Sequence, residues 1–288
     1  MPSHNLAHIQ IDDLDILGYS VGGEETVVGM PQLNVCFDIG KAPDQLIPIE
    51  HVLLTHGHMD HAAGFAYYLS QRIFSGMSPG TIVAPANLIP AMREILASWG
   101  QLDGSKIPAN LVGVRPGDEH QIKPNLFARV FPTKHSPGSV GFCVLEKRKK
   151  LKPEYLELTG PQIVELKKQG IQIDYPVEIP IVSYLGDTQY VDFCRLEYVM
   201  NSKILIAECT FYEDEHASRA EAGRHMHINE LAQLLACMKN EHVIITHTTQ
   251  RTPMPEVRRV LEEALPPEVW AKTTILMDRK SRRRQPGG

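Results

Sequence analysis

The chain is 288 residues long, 43% hydrophobic and 22% charged, with a formal net charge of −5. That is the make-up of an ordinary soluble globular protein of one or two domains, with no global attraction for a polyanion, so any nucleic acid must be held by a local basic patch. No apolar stretch nears the length of a membrane span, and the N-terminus lacks the basic-then-apolar layout of a secretory signal, which excludes a membrane partner at this level of reading.

Strands are expected at 15–21, 26–30 and 33–38, then a short apolar strand at 51–54 followed by a helix-like stretch at 62–69. A buried strand is predicted at 81–84 and a helix at 87–96, with Asn87 as its N-cap. A dense basic run occupies 147–152, a buried strand 203–207 and an amphipathic helix 227–238. Strands and helices alternate in two successive halves, which implies an α/β fold of two packed sheets with helices outside, an αβ/βα sandwich. The expected organisation is one domain over 1–278 with an inserted arm at about 146–180, and a basic, disordered tail at 279–288. No internal repeat is visible in the sequence. Five scattered cysteines (Cys36, Cys143, Cys194, Cys209, Cys237) read as buried thiols of a reducing compartment, the cytoplasm or, in a eukaryote, the nucleus.

The most informative run is Thr-His-Gly-His-Met-Asp-His at 55–61, directly after the apolar strand. Neutral imidazole and carboxylate are the donors expected for zinc and similar borderline metals. On a strand-end loop, His56 and His58 can turn to one point while Asp60 and His61 reach a second. That suits two metal ions about 3.5–4 Å apart, able to generate a hydroxide at neutral pH.

This motif resembles the metal-binding signature of the metallo-β-lactamase superfamily. The resemblance requires a lone His, then an Asp after an apolar strand, then a His near the C-terminus, and the chain supplies His135, Asp187 and His247 in that order. It implies His56, His58 and His135 around one ion, Asp60, His61 and His247 around the other, and Asp187 bridging. It also implies a pseudo-twofold, four-layer architecture.

Further motifs resemble the ribonuclease Z family, which removes 3′ trailers from precursor tRNA; the length and the region 18–40 look most like the short, plant nuclear type. Val-Cys-Phe-Asp-Ile-Gly at 35–40 matches the family's early aspartate motif, with Asp38 bracing the metal loop. Ala-Glu-Cys-Thr-Phe at 207–211 resembles His-Glu-Ala-Thr-Phe; His-Met-His at 225–227 stands where the family has His-Ser-Thr or His-Met-Thr. His-Thr-Thr-Gln-Arg at 247–251 resembles the C-terminal motif. The departures are Ala207, Cys209, His227 and Thr252.

The resemblance implies a phosphodiesterase with a hydroxide bridging two divalent ions as nucleophile. Zinc is the expected metal, with manganese or iron as alternatives. Asp60 would accept the nucleophile's proton, and His225, paired with Glu208, would protonate the leaving oxygen. His227 could do that job from two residues away. Lys134 and Arg251 are candidates for phosphate oxygens, and Lys147, Arg148, Lys149 and Lys150 for a tRNA-gripping arm, where Gly160-Pro161 resembles the arm's glycine-proline element. The expected partners are precursor tRNA and a second copy of the chain in a homodimer. The rival readings are a hydrolase of a small ester, lactone, thioester or other phosphodiester, and a non-catalytic RNA-binding relative. Blander roles exist for Glu208 (capping a turn), His225 (a surface histidine) and the lysine run (a solvated hairpin face).

Overall fold

The computed structural model describes residues 6–282. Strands β1 (Ala7–Ile11), β2 (Leu14–Val21), β3 (Glu25–Met30), β4 (Val35–Phe37), β5 (His51–Leu53), β6 (Thr81–Pro85) and β7 (Asn110–Val114) lie side by side, in chain order, in one sheet. Strands β8 (Glu119–Lys123), β9 (Leu126–Pro132), β10 (Val140–Leu151), β11 (Asp174–Tyr184), β12 (Ile204–Glu208), β13 (His242–Thr246) and β14 (Thr273–Ile275) do the same in the second. In each sheet the first four strands pair antiparallel and the rest parallel. The repeat that the sequence hides is therefore plain in the topology.

Helices α1 (Met59–Ala62), α2 (Phe65–Phe74) and α3 (Ile89–Asp103) belong to the first half. Helix α4 (Gly160–Lys168) lies within the arm. Helices α5 (Glu197–Met200), α6 (Ala217–Gly223), α7 (Ile228–Leu235), α8 (Met254–Ala264) and α9 (Pro267–Ala271) belong to the second half, before a last turn α10 (Arg279–Arg282).

Burial patterns explain the layers. Strand β2 alternates buried and half-buried residues, whereas β5, β6 and β12 are buried at every position, because helices cover the faces that the sheets turn away from each other. Ile16, Val28, Phe37 and Leu53 meet Val130, Phe142, Val182 and Ile206 in the core between the sheets. Tyr68, Leu69, Met92 and Leu96 pack on the outer face of the first sheet. Helix α7 turns Ile228, Leu231, Leu234 and Leu235, an i, i+3, i+6, i+7 stripe, onto the second.

Three expectations need correction. Asn87 does not cap α3, which starts at Ile89 and runs to Asp103; its side chain instead donates to the Pro137 carbonyl, fastening the loop that follows His135. Cys194 and Cys237 are paired as a disulfide, with Cα atoms 6.3 Å apart, because α7 packs its end against the turn after β11; Cys36, Cys143 and Cys209 are buried free thiols as expected. The tail forms a helical turn at Arg279–Arg282, and its positions 283–288 lie outside the described residues.

Candidate metal centre

Parallel strands deliver the site residues. Asp38 follows β4 and the run 55–61 follows β5; Asp187 follows β11, Glu208 ends β12 and His247 follows β13. All lie at carboxyl ends, where open α/β sheets place ligands. His135 joins them from the β9–β10 loop. Asp60 and His61 stand on α1, not on an open loop, so both side chains leave one short helical turn.

The seven side chains converge. Ligand atoms of His56, His58 and His135 lie within 4.8 Å of one another, as do those of Asp60, His61 and His247, and those of His56, His61 and Asp187. Asp187 sits between the groups: its Oδ2 is 3.2 Å from Nε2 of His61 and of His247, 3.8 Å from His135 Nε2 and 3.9 Å from His56 Nε2.

The opposite ring nitrogens are held by the protein. Thr55 Oγ1 donates to Asp38, at 2.9 Å from Oδ1, so it accepts from His56 Nδ1 at 2.9 Å. Asp38 also accepts from His61 Nδ1, from the Thr55 N–H and from the Tyr184 hydroxyl of the other sheet, each at 2.8 Å. The Thr210 hydroxyl donates to Glu208 Oε2 and accepts from His247 Nδ1 at 2.8 Å. His135 Nδ1 meets the Arg224 carbonyl at 3.1 Å. In each of these four rings Nε2 is the nitrogen left on the side of Asp187.

These residues fit a divalent ion. Nε2 of His56, His61 and His247 is buried without a hydrogen-bond partner, and an orphaned buried polar group costs about 1–3 kcal/mol. Three such groups facing one carboxylate is an arrangement that a bound cation relieves. Burial, with neighbouring imidazoles, holds His56 well below the ordinary histidine range, and burial also lowers His135, so both offer neutral nitrogen.

His225 differs. Its Nδ1 is 3.1 Å and 3.3 Å from the two oxygens of fully buried Glu208, and its ring stacks on His247 with centroids 5.1 Å apart. Burial pushes its pKa down, but the charge and hydrogen bond of Glu208, aided by Asp187, outweigh this and raise it to about 9. Glu208 also accepts the Thr188 N–H at 2.7 Å, which ties it to the Asp187 loop.

His227 is committed elsewhere. It caps α7, Nδ1 accepting the Asn229 N–H while Glu230 answers its backbone N–H in a capping box, and Nε2 is 3.2 Å from the Glu213 carbonyl. Glu213 also accepts the Thr252 hydroxyl at 2.7 Å. Two departures from the family motifs are thus joined by one residue.

The remaining candidates lie at the rim or beyond. Lys134 and Arg251 are exposed on the loops around His135 and His247. Lys147 pairs with Glu119 at 2.6 Å over the Phe127 ring, and Arg148 pairs with Glu146 at 2.6 Å. Among the described residues Lys149 and Lys150 are exposed and hold no ion pair.

Sequence reasoning missed the glycine turn between β2 and β3. The Gly23 N–H donates to Asp60 Oδ2 at 2.8 Å, and a Cβ on Gly22 would stand 2.9 Å from the His247 ring, so the ring's approach requires glycine. Gly22-Gly23 was the available signal. Thr55, Thr210 and Arg224 carry no such mark.

Residues 27–248 match the family model described as the beta-lactamase superfamily domain. The chain is 33% identical over 272 residues to tRNase Z TRZ1 of Arabidopsis thaliana, covering 93% of this chain and 96% of the relative. It belongs to the tRNase Z family of that superfamily. In fold it is similar to the metallo-beta-lactamase fold protein YhfI from Bacillus subtilis (TM-score 0.62, 14% identity, 89% and 92% of the two chains) and to short-form human tRNase Z (TM-score 0.52, 17% identity, 84% and 88%). A divalent-metal centre is what this fold implies, and the His/Asp groups above are able to form one.

Proposed function

We propose that this protein is a metal-dependent endoribonuclease that removes the 3′ trailer from precursor tRNA. The observation that carries the reading is the buried Glu208–His225 pair beside the convergent His/Asp cluster, in a chain whose relatives are named tRNase Z. Hydrolysis of a small ester or lactone has less use for a protonated imidazole held on a buried carboxylate.

His56, His58 and His135 would hold one ion, Asp60, His61 and His247 a second, with Asp187 shared. Two ions there would supply charge neutralisation for the scissile phosphate and acidify the attacking water. The chain's own residues do the rest. Asp60, its Oδ2 held by the Gly23 N–H, is positioned to receive the attacking water's proton. His225 carries its proton near neutral pH and passes it from Nε2 to the departing 3′-oxygen, and Glu208 stabilises the charged ring beforehand. Lys134 and Arg251 at the rim would contact phosphate oxygens. Asp38 keeps His61 and the 55–61 turn in place through both halves of the molecule.

Zinc is our choice of metal, given five imidazoles in the ligand set. Lys149 and Lys150 on the arm, with Lys147 and Arg148 already partly neutralised, would contact tRNA phosphates. A homodimer is supported by the exposed apolar side chains Tyr67, Phe74, Trp99 and Leu102 on the neighbouring helices α2 and α3. Residence in the cytoplasm or nucleus belongs to the same reading; Cys36, Cys143 and Cys209 are free thiols in keeping with it, while the Cys194–Cys237 disulfide is not.

The decisive assay offers the purified, metal-reconstituted protein precursor tRNA, bis(p-nitrophenyl) phosphate and a lactone. Cleavage of the precursor at the trailer junction is expected. Turnover of the lactone without cleavage of RNA would refute the proposal.

A further inference from the structure

Helix α6 ends at Gly223, and the next residue, Arg224, is left-handed (φ 54°, ψ 46°). The turn closes with the Arg224 N–H on the Glu221 carbonyl at 3.1 Å and the His225 N–H on the Ala220 carbonyl at 2.9 Å. Glycine is the usual occupant of such a cap because it adopts this backbone without a Cβ clash. Here glycine stands one place too early and arginine takes the left-handed position.

The arginine has a specific attachment. Its carbonyl lies 3.1 Å from His135 Nδ1, and its Nη1 donates to the His135 carbonyl at 2.9 Å. One residue therefore grips both the ring and the backbone of His135, which comes from the β9–β10 loop 89 positions away in sequence. The same residue directly precedes His225. Apart from the contact between the His135 and His225 rings, whose centroids are 4.6 Å apart, the clasp is the link between the two segments, since α6 is short and most of its residues are exposed.

We propose that Arg224 is a positioning residue. Its guanidinium holds the left-handed turn against the β9–β10 loop, so that the Arg224 carbonyl fixes His135 with the proton on Nδ1 and Nε2 turned to the metal position. The same clasp sets His225 at its distance from Glu208. Outer partners of metal-bound imidazoles act in this way, and losing one weakens metal binding by about 10–100-fold. The inference rests on the two-ion reading above.

The test uses Arg224→Gly, which keeps the turn and removes the grip, and Arg224→Lys, which returns a cationic donor. Zinc retained per chain is measured against increasing chelator, alongside far-UV circular dichroism and kcat and KM on bis(p-nitrophenyl) phosphate. Arg224→Gly should release zinc at a chelator concentration about 10–100-fold lower than the parent. Its kcat should fall with little change in KM, and Arg224→Lys should recover a substantial part of both. Should the glycine variant lose its fold, Arg224→Asn, which also tolerates the turn, takes its place. Zinc retention and kcat equal to the parent in a folded variant would overturn the inference. A parent that binds zinc but cleaves neither phosphodiester nor RNA would sink the functional reading alone, leaving the zinc comparison to decide the role of Arg224.

Discussion

Four of the five imidazoles around Asp187 commit Nδ1 to the protein, through Thr55, Asp38, Arg224 or Thr210, and turn Nε2 inward. His58 is the exception: it presents Nδ1, 3.0 Å from His135 Nε2, and is exposed. His58→Ala should therefore lower metal content and abolish hydrolysis without unfolding the chain, because His58 is itself exposed and its loss leaves only His135 Nε2 without a hydrogen-bond partner; elemental analysis beside circular dichroism checks both halves, and full activity would contradict the metal assignment. His225→Ala tests a different role. It should cut turnover by about 10²–10⁴-fold while both ions stay bound, since His225 holds Nδ1 on Glu208 at 3.1 Å, with the Asp187 carboxylate farther off at 3.8 Å. Loss of metal in that variant would mean that His225 is a ligand. The ligand candidates were legible in sequence because histidine and aspartate at the ends of apolar runs are uncommon and their order is restrictive. Thr55, Thr210 and Arg224 were not legible. Threonine and arginine occur everywhere, and their partners lie up to 89 positions away along the chain.

At the level of elements, strands with strong apolar runs were readable: the run at 203–207 becomes β12 and that at 81–84 becomes β6. Strand β8, Glu-His-Gln-Ile-Lys, and the three-residue β14 were not, because an edge strand needs little apolar surface and its pairing partner decides its existence. The arm shows how element context changes the meaning of a motif. From Lys147 to Leu151, β10 pairs only with β11, so the basic run stands on a two-stranded extension. Lys147 nevertheless points back to Glu119 and the Phe127 ring, where it joins a network with Arg129 and Glu178. Four adjacent basic residues thus have two fates. Lys149→Ala with Lys150→Ala should weaken precursor tRNA binding and reduce the slope of log affinity against log salt by roughly 0.7–0.9 per lysine removed. Cleavage of bis(p-nitrophenyl) phosphate should be unchanged. An unchanged salt slope would show that the arm does not grip RNA.

On the scale of the whole molecule, the two sheets repeat one topology and meet with their strand ends aligned, so that chemistry gathers at one end of the seam. The other end carries a second contact between the sheets. His51, at the start of β5, and His120, in β8, face each other with Nδ1 and Nε2 3.0 Å apart. Burial, and then the charge of His51, pushes His120 down to about 4; burial also lowers His51, with Glu50 opposing and Arg72 and Lys123 assisting. Folded pKa values below the unfolded 6.5 mean that the unfolded chain takes up protons first as acid is added. The stabilisation is therefore complete above pH 6.5 and drains away as the pH falls from there toward 4. The variant His120→Gln keeps a polar side chain at the contact and cannot titrate. Thermal unfolding of the metal-free parent and variant, followed between pH 8 and 4 by circular dichroism, separates this pair from the imidazoles of the metal centre, which both proteins share. The parent's melting temperature should drop more steeply than the variant's below pH 6.5, and the two curves should run parallel above it. Parallel curves throughout would mean that the seam does not feel the protonation of this pair, and that its acid stability is set at the other end of the sheets.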